Sequence, residues 1–225
     1  MHSAFATSPA EEAIPITFVT KAAWGSVSAK LDDAARRFAE ASGFAAKPGQ
    51  YLALPKVSGE ISHVLFGLGN QTSRSSNPFQ AGKLPELLPT GTFRFANTPP
   101  DLHLAVLAFA LGSYRFNRYR KADAPKARLV PPDGVDIAAI SRMAEAASLA
   151  RDLINTPAND MGPEELAAAA QSLAQRFGAA FSCIVGDDLR HQNFPLIHAV
   201  GMASSRAPRL IDFTWGDPAY PKVTL

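Results

Sequence analysis

Cysteine is almost absent from these 225 residues: Cys183 stands alone. No disulfide can form within the chain, which fits a reducing, cytoplasmic setting. Cys183 lies in the apolar run 179–185 and reads as a thiol in a buried strand. It lacks the exposure and neighbouring base that a reactive thiolate needs. A charge excess is missing too. Lys and Arg total 22 against 20 Asp and Glu, so the net charge of +2 gives no general pull toward nucleic acid or anionic membrane. The longest apolar run, 104–111, falls far short of the ~20 residues that cross a bilayer. Residues 1–13 have no basic stretch and carry Glu11 and Glu12, so no secretory signal is expected there. The histidines (His2, His63, His103, His191, His198) are scattered, with no His-Glu-x-x-His pair to hold a metal.

What is present is ordinary for a globular protein. A content of 47% hydrophobic and 19% charged residues suits a soluble fold, and the length can bury a core without staples. Residues 14–20 read as a strand. A helical pattern follows, with Leu31, Ala34, Ala35, Phe38 and Ala41 on one face and Gly43 as its stop. Residues 51–54 and 63–68 read as strands joined by a hairpin-type turn at 56–60. Residues 79–88 suggest a short helix, 92–95 a strand, and 102–121 a long helix, apolar first and basic later. This mixture predicts an α/β domain over 1–125.

Three prolines and a glycine in 124–134 predict a linker. With the helix that follows, 126–155 forms the connection. That helix would bury Val135, Ile140, Met143, Ala147, Ala150 and Leu153, and Thr156-Pro157 must end it. Gly162-Pro163-Glu164-Glu165 then opens another helix, because Pro suits a first helical position and acids suit a first turn. Strands are predicted at 180–185, 197–200, 209–214 and 222–225, with a short helix at 187–191. This alternation predicts a second α/β domain from 156 onward, with a largely parallel sheet.

Four places could carry chemistry. Arg115, Arg118, Arg120, Lys121, Lys126 and Arg128, opposed by Asp123 and interleaved with Tyr114, Phe116 and Tyr119, form either a phosphate-facing patch or the solvated end of a helix. The plainer reading is the helix end. Gly67-Leu-Gly69-Asn70 follows a strand and could admit a phosphate, but it lacks the third glycine of a dinucleotide fingerprint and reads better as a tight turn. Asp187, Asp188 and His191 form the densest acidic and histidine group; Asp187 and His191, four apart, could share a helix face to hold a metal or polarise a water, or form an acidic helix start with an ordinary i,i+4 Asp–His pair, which is preferred. Gly201-Met-Ala-Ser-Ser205 lacks the spacing of a serine-nucleophile elbow and reads as a polar loop.

One stretch is more specific. Ala150-Arg-Asp-Leu-Ile-Asn-Thr-Pro-Ala-Asn-Asp-Met-Gly-Pro163 is followed by Ile184-Val-Gly-Asp-Asp188, His198-Ala-Val-Gly201, Arg206-Ala-Pro-Arg-Leu-Ile211 and Lys222-Val-Thr-Leu225. In order and spacing these resemble the leucyl aminopeptidase family of metallopeptidases. Leu111-Gly-Ser-Tyr-Arg-Phe-Asn-Arg-Tyr119 resembles the helix before that family's linker.

The resemblance implies a macro-domain-like N-terminal α/β domain, a linking helix and the beginning of a mostly parallel α/β metallopeptidase domain at 156–225. It implies removal of N-terminal residues, often Leu, from peptides. It further implies two divalent ions, Mn or Zn, in a cytoplasmic homohexamer; the near-neutral charge and short apolar runs argue against nucleic-acid and membrane partners. Two close metals suit peptide hydrolysis because they can polarise the carbonyl and generate hydroxide at neutral pH.

The family's Val-Gly-Lys-Gly, Phe-Asp-[ST]-Gly-Gly and Asn-Thr-Asp-Ala-Glu-Gly-Arg segments do not occur in residues 1–225. No catalytic residue or metal ligand carries over. The expectation is a truncated, inactive portion that binds no metal itself, with a non-catalytic binding or oligomerisation module as the alternative. Asn155, Thr156, Pro157, Asn159, Met161 and Pro163 match the family motif and are expected to shape the connection between two helices.

Overall fold

A computed structural model describes residues 2–7, 12–71, 77–120 and 126–224. The chain divides into two compact units, Met1–Arg151 and Asp152–Leu225.

The first unit is built on a five-stranded sheet in the order β2-β3-β1-β4-β5. Its strands are β1 (Ile14–Thr20), β2 (Tyr51–Pro55), β3 (Ile61–Gly69), β4 (Gly91–Phe95) and β5 (Ala127–Leu129). β1 lies at the centre, parallel to β3 and β4. β4 runs parallel to β5, and only β2 is antiparallel, joined to β3 by the expected hairpin. Alternation along a strand sends successive side chains to opposite faces. Ile16 and Phe18 of β1, with Val64, Phe66 and Leu68 of β3, enter one core cluster, while Val19 and Leu65 enter another. Burial on both faces explains why β3 reads as a continuous apolar run. Phe18 sits edge-on to Phe66 and Phe95, at 6.0 and 4.8 Å between ring centres.

The helices of this unit are α1 (Trp24–Ser28), α2 (Asp33–Ala41), α3 (Leu84–Leu87) after a 3-10 turn at Gln80–Lys83, α4 (Leu102–Gly112) and α5 (Ile137–Asn155). Aspartates cap three of them. Asp32, Asp101 and Asp136 accept from the amides of Ala35, Leu104 and Ala139 at 2.7, 2.9 and 2.9 Å, each meeting an otherwise orphaned donor.

Several expectations need correction. The long helix predicted to residue 121 ends at Gly112. A Cβ there would lie 2.0 Å from the Gly82 carbonyl oxygen, so α4 meets the 3-10 turn backbone to backbone. Ser113 Oγ then turns back to donate to the Ala110 carbonyl at 2.7 Å. Residues 126–134, read as part of a linker, contain β5, flanked on its far side by a bridge from Phe5 to Leu129. In α2 the buried side chain is Ala39 while Phe38 is exposed. In α5 the buried residues are Ile140, Ser141 and Ala144, and Met143 is exposed. The rest of each stripe reaches the core in part: Ile140 is buried and Val135 packs beside it, and Leu31 and Ala35 pack on the other cluster.

The second unit holds α6 (Pro163–Phe177), β6 (Ala180–Val185), α7 (Asp188–His191), α8 (Pro195–Gly201) and β7 (Arg209–Thr214). Residues 197–200, expected as a strand, lie inside α8. A four-residue apolar run does not discriminate the two states, and Pro195 in the first turn favours the helix. β6 and β7 pair antiparallel rather than parallel. The connection over 186–208 would be long enough for a parallel crossover, but the chain returns so that Val185 pairs with Arg209 and Ala180 with Thr214. Residues 222–224 are irregular rather than extended in a sheet, and Leu225 lies outside the described residues. Cys183 is half-buried, not fully enclosed. No helix among the described residues is long and apolar enough to cross a membrane.

The close approach at Gly112 gives a direct test. Gly112→Ala should destabilise the first unit by about 1–3 kcal/mol through overpacking, whereas Gly25→Ala, with nothing within 4 Å of its Cβ position, should change stability by less than ~1 kcal/mol. Urea midpoints of the two variants measure the contrast.

Candidate functional site

The loop between α5 and α6 is where the most specific sequence signal and the densest polar geometry coincide. Thr156 is buried; its Oγ1 donates to the Asp152 carbonyl at 2.6 Å and closes α5. Pro157 forbids another helical turn, and its carbonyl accepts from the Asp160 amide at 2.9 Å. Pro163 occupies the first turn of α6. The Glu165 carboxylate reaches back to accept from the Gly162 amide at 2.8 Å, the returning half of a capping box.

Arg206, distant in sequence, locks this junction. Its Nη1 donates to Glu165 Oε2 at 3.0 Å, and its Nη2 donates to the Asn159 carbonyl. A Cβ at residue 162 would fall 2.0 Å from Arg206 Nη1, so glycine there leaves room for the guanidinium. Backbone amides at Glu165 and Gly162 are the main cause holding the Glu165 carboxyl below its ordinary range, with Arg206 and Arg209 adding to it. Arg209 Nη2 lies 3.6 Å from Glu164. Of the six motif residues, the structure thus gives Thr156, Pro157, Asn159 and Pro163 defined places in the turn. Asn155 closes α5, and Met161 lies in the loop just before the helix start.

The other candidates resolve into structure. Asp187 faces His198 of α8, not His191, with Oδ1 3.0 Å from Nε2. The pair ties α7 to α8. Among the described residues no three His, Cys, Asp or Glu gather to hold a metal, so the groups present do not fit a two-metal centre. Gly67 and Gly69 admit the chain's own loop. A Cβ at 67 would meet the Lys47 carbonyl at 2.3 Å, and the Gly69 amide donates to Ala46 at 2.9 Å. Gly201 ends α8 against Pro208.

In the basic segment, Arg115 donates to the Gly112 and Tyr114 carbonyls at 3.1 and 2.8 Å. Arg118 lies 5.9 Å from the centre of the Tyr119 ring, and Arg151 lies 5.3 Å from that of Tyr114. These cations follow α4 rather than ending it, and Lys121 and Asp123 lie outside the described residues.

The family segments included Arg206 and His198 without their contacts, and Asn97 was missed altogether. Asn97 sits just past β4, where open α/β sheets often hold ligands beyond the strand ends. There its Oδ1 accepts from the Phe18 amide at 2.8 Å and its Nδ2 donates to the Phe18 carbonyl at 2.9 Å. It takes the place of a strand partner. His63 on β3 lies 2.7 Å from Thr17 Oγ1; burial, then Arg94, pushes its pKa down.

Comparison with known proteins agrees with this geometry. Residues 14–132 match the M17 aminopeptidase N-terminal domain, and residues 148–225 match the catalytic domain of the cytosol aminopeptidase family. A probable cytosol aminopeptidase of Corynebacterium efficiens is 32% identical over 200 residues, covering 83% of this chain and 40% of that protein. The crystal structure of cytosol aminopeptidase from Coxiella burnetii superposes with a TM-score of 0.86 at 36% identity, over 97% of this chain and 47% of that one. The bottromycin maturation enzyme BotP in complex with Mn shares the fold, with a TM-score of 0.68 at 24% identity over 91% and 45% of the two chains. The chain thus spans less than half the length of these relatives.

The Glu165 junction predicts a pH response. A carboxyl with a lowered pKa stabilises the fold at all pH values above its ordinary range and loses that contribution as pH falls through the lowered value. The Gly162 amide resonance should titrate with a midpoint below the usual glutamate range, and this step should vanish in Glu165→Gln. A midpoint at or above the ordinary range would contradict the clamp.

Proposed function

Because the chain belongs to the M17 cytosol aminopeptidase family, we propose that it supplies the N-terminal domain and the opening part of the catalytic domain of a metal-dependent aminopeptidase. The observation that carries this reading is the match of both domain types in one chain, in order, with the loop–helix junction between α5 and α6 intact. The substrate class is peptides with a free N-terminus, leucine among the residues removed. The assembly is a homohexamer in the cytoplasm, a setting supported by relatives described as cytosol aminopeptidases.

Two divalent ions, Mn or Zn, supply the Lewis acidity in this chemistry. The described residues gather no ligand set for them, and no step is assigned to this chain's own side chains. Asn155, Thr156, Pro157, Asn159, Met161 and Pro163 shape the connection: they end α5, turn the chain and start α6. A catalytic portion from 156 belongs to the same proposal, while β5 (Ala127–Leu129) carries the N-terminal domain past the boundary expected at 125.

The alternative of a nucleotide-binding module loses its support at Gly67 and Gly69, which the loop at 46–50 fills. The purified 225-residue chain, assayed on an aminoacyl anilide with added Mn, should show no turnover above buffer. Robust metal-dependent hydrolysis by the homogeneous chain would refute the assignment of the ligands elsewhere.

A further inference from the structure

Residues 2–6 precede the named strands, yet they are built into the first unit. Ala4, Phe5 and Ala6 are buried, and Ala4 and Phe5 belong to the same core cluster as Leu129, Ile140 and Ala144. Phe5 bridges to Leu129 in the parallel sense. The Leu129 amide donates to the Ala4 carbonyl at 2.8 Å, and the Ala6 amide donates to the Leu129 carbonyl at 2.9 Å. The segment thus covers the outer edge of β5, whose backbone groups would otherwise invite another strand. Its remaining attachment runs through His2. The His2 amide donates to Oγ of the buried Ser141 on α5 at 3.2 Å, and its carbonyl accepts from the Phe5 amide at 3.0 Å. The His2 ring lies edge-on to Phe5, with 6.3 Å between centres, and its Nδ1 accepts from the Ala4 amide at 3.3 Å.

We propose that His2 is a pH-sensitive latch: its neutral ring holds residues 2–6 on the edge of β5, and protonation of that ring releases them. The geometry fixes the direction. A neutral imidazole can accept through one ring nitrogen, whereas both nitrogens of the cation carry protons. A protonated Nδ1 would aim its N–H at the Ala4 N–H, so the contact that closes this turn becomes repulsive. The charged groups acting on the ring are Glu145, one turn beyond Ser141 on α5, and the amino terminus; Glu145 favours the cation and the amino terminus opposes it. Burial is the largest influence, and the His2 pKa lies below its ordinary value. The docked segment therefore binds fewer protons than the released one as pH falls through the ordinary histidine range, about 6.5. Docking has its full stability above that range and loses it as pH falls from there through the lowered value. Release uncovers the edge of β5 and empties the place of Phe5 together, so acidification turns a capped sheet into one that can take up another strand. The latch uses residues of the first unit alone and stands apart from the aminopeptidase assignment.

The experiment follows amide hydrogen exchange in the full 225-residue chain from about pH 8 to about pH 5, with each rate taken relative to the unstructured rate at the same pH. Protection of the Ala6 and Leu129 amides should fall by about threefold or more across this interval. The Phe18 amide, held by Asn97 at the centre of the sheet, should keep its protection. His2→Asn offers a side-chain oxygen that accepts but does not titrate, so it should keep both amides protected at both ends of the interval. Glu145→Gln removes the charge that favours the cation and should move the step to lower pH. Constant protection of Ala6 and Leu129 across the interval overturns the latch, and so does a step that survives in His2→Asn. Should His2→Asn fail to hold the segment, the unsubstituted chain still decides. Its His2 ring resonance must titrate over the same interval in which protection is lost, and a loss of protection that does not follow the ring overturns the proposal.

Discussion

Burial of β1 and β3 between two apolar layers is the constraint on which the rest of the structure depends. These strands place Ile16, Phe18, Val64 and Phe66 on one side and Val19 and Leu65 on the other, all essentially removed from water. Each fully buried side chain of this size contributes ~1.5–3 kcal/mol, which makes the central strands the main source of stability. β2, β4 and β5 pair outward from them, and α4 and α5 pack on one face. Even the polar devices follow: Asn97 can stand in for a strand only because β1 offers it a fixed amide and carbonyl at Phe18.

The second unit is held differently. Its organising contacts are polar: Glu165 with the Gly162 amide, Arg206 with Glu165 and Asn159, and Asp187 with His198. Such contacts fix angles well. They add little stability where water reaches them, because exposed ion pairs are worth ~0–1 kcal/mol. In the turn at 155–163, Thr156 and Pro157 close α5, and Gly162 leaves room for the Arg206 guanidinium.

Much of this was legible in the sequence. Alternating and continuous apolar runs gave β1, β2, β3, β4, β6 and β7, and Gly162-Pro163-Glu164-Glu165 placed the start of α6. The failures share a cause. The end of α4 is set by contact with Gly82, thirty residues away in sequence, and no local pattern in 112–121 reports it. β5 is only three residues long and sits among prolines, so it forms because β4 offers an edge. α8 is a short apolar run of the kind that strand and helix share. The partners Arg206, His198 and Asn97 pair across 41, 11 and 79 residues, beyond any periodicity.

The central claim is that cooperative stability resides in the first unit while the second is shaped but not cored. The steepness of urea unfolding scales with the surface that unfolding exposes, so it measures how much of the chain melts together. A comparison of the full chain with a 1–151 truncation tests the claim most directly. The account predicts the same midpoint and the same slope for both. A slope larger for the full chain in proportion to its added length, with a shifted midpoint, would show that residues 152–225 fold as part of one unit and would contradict it.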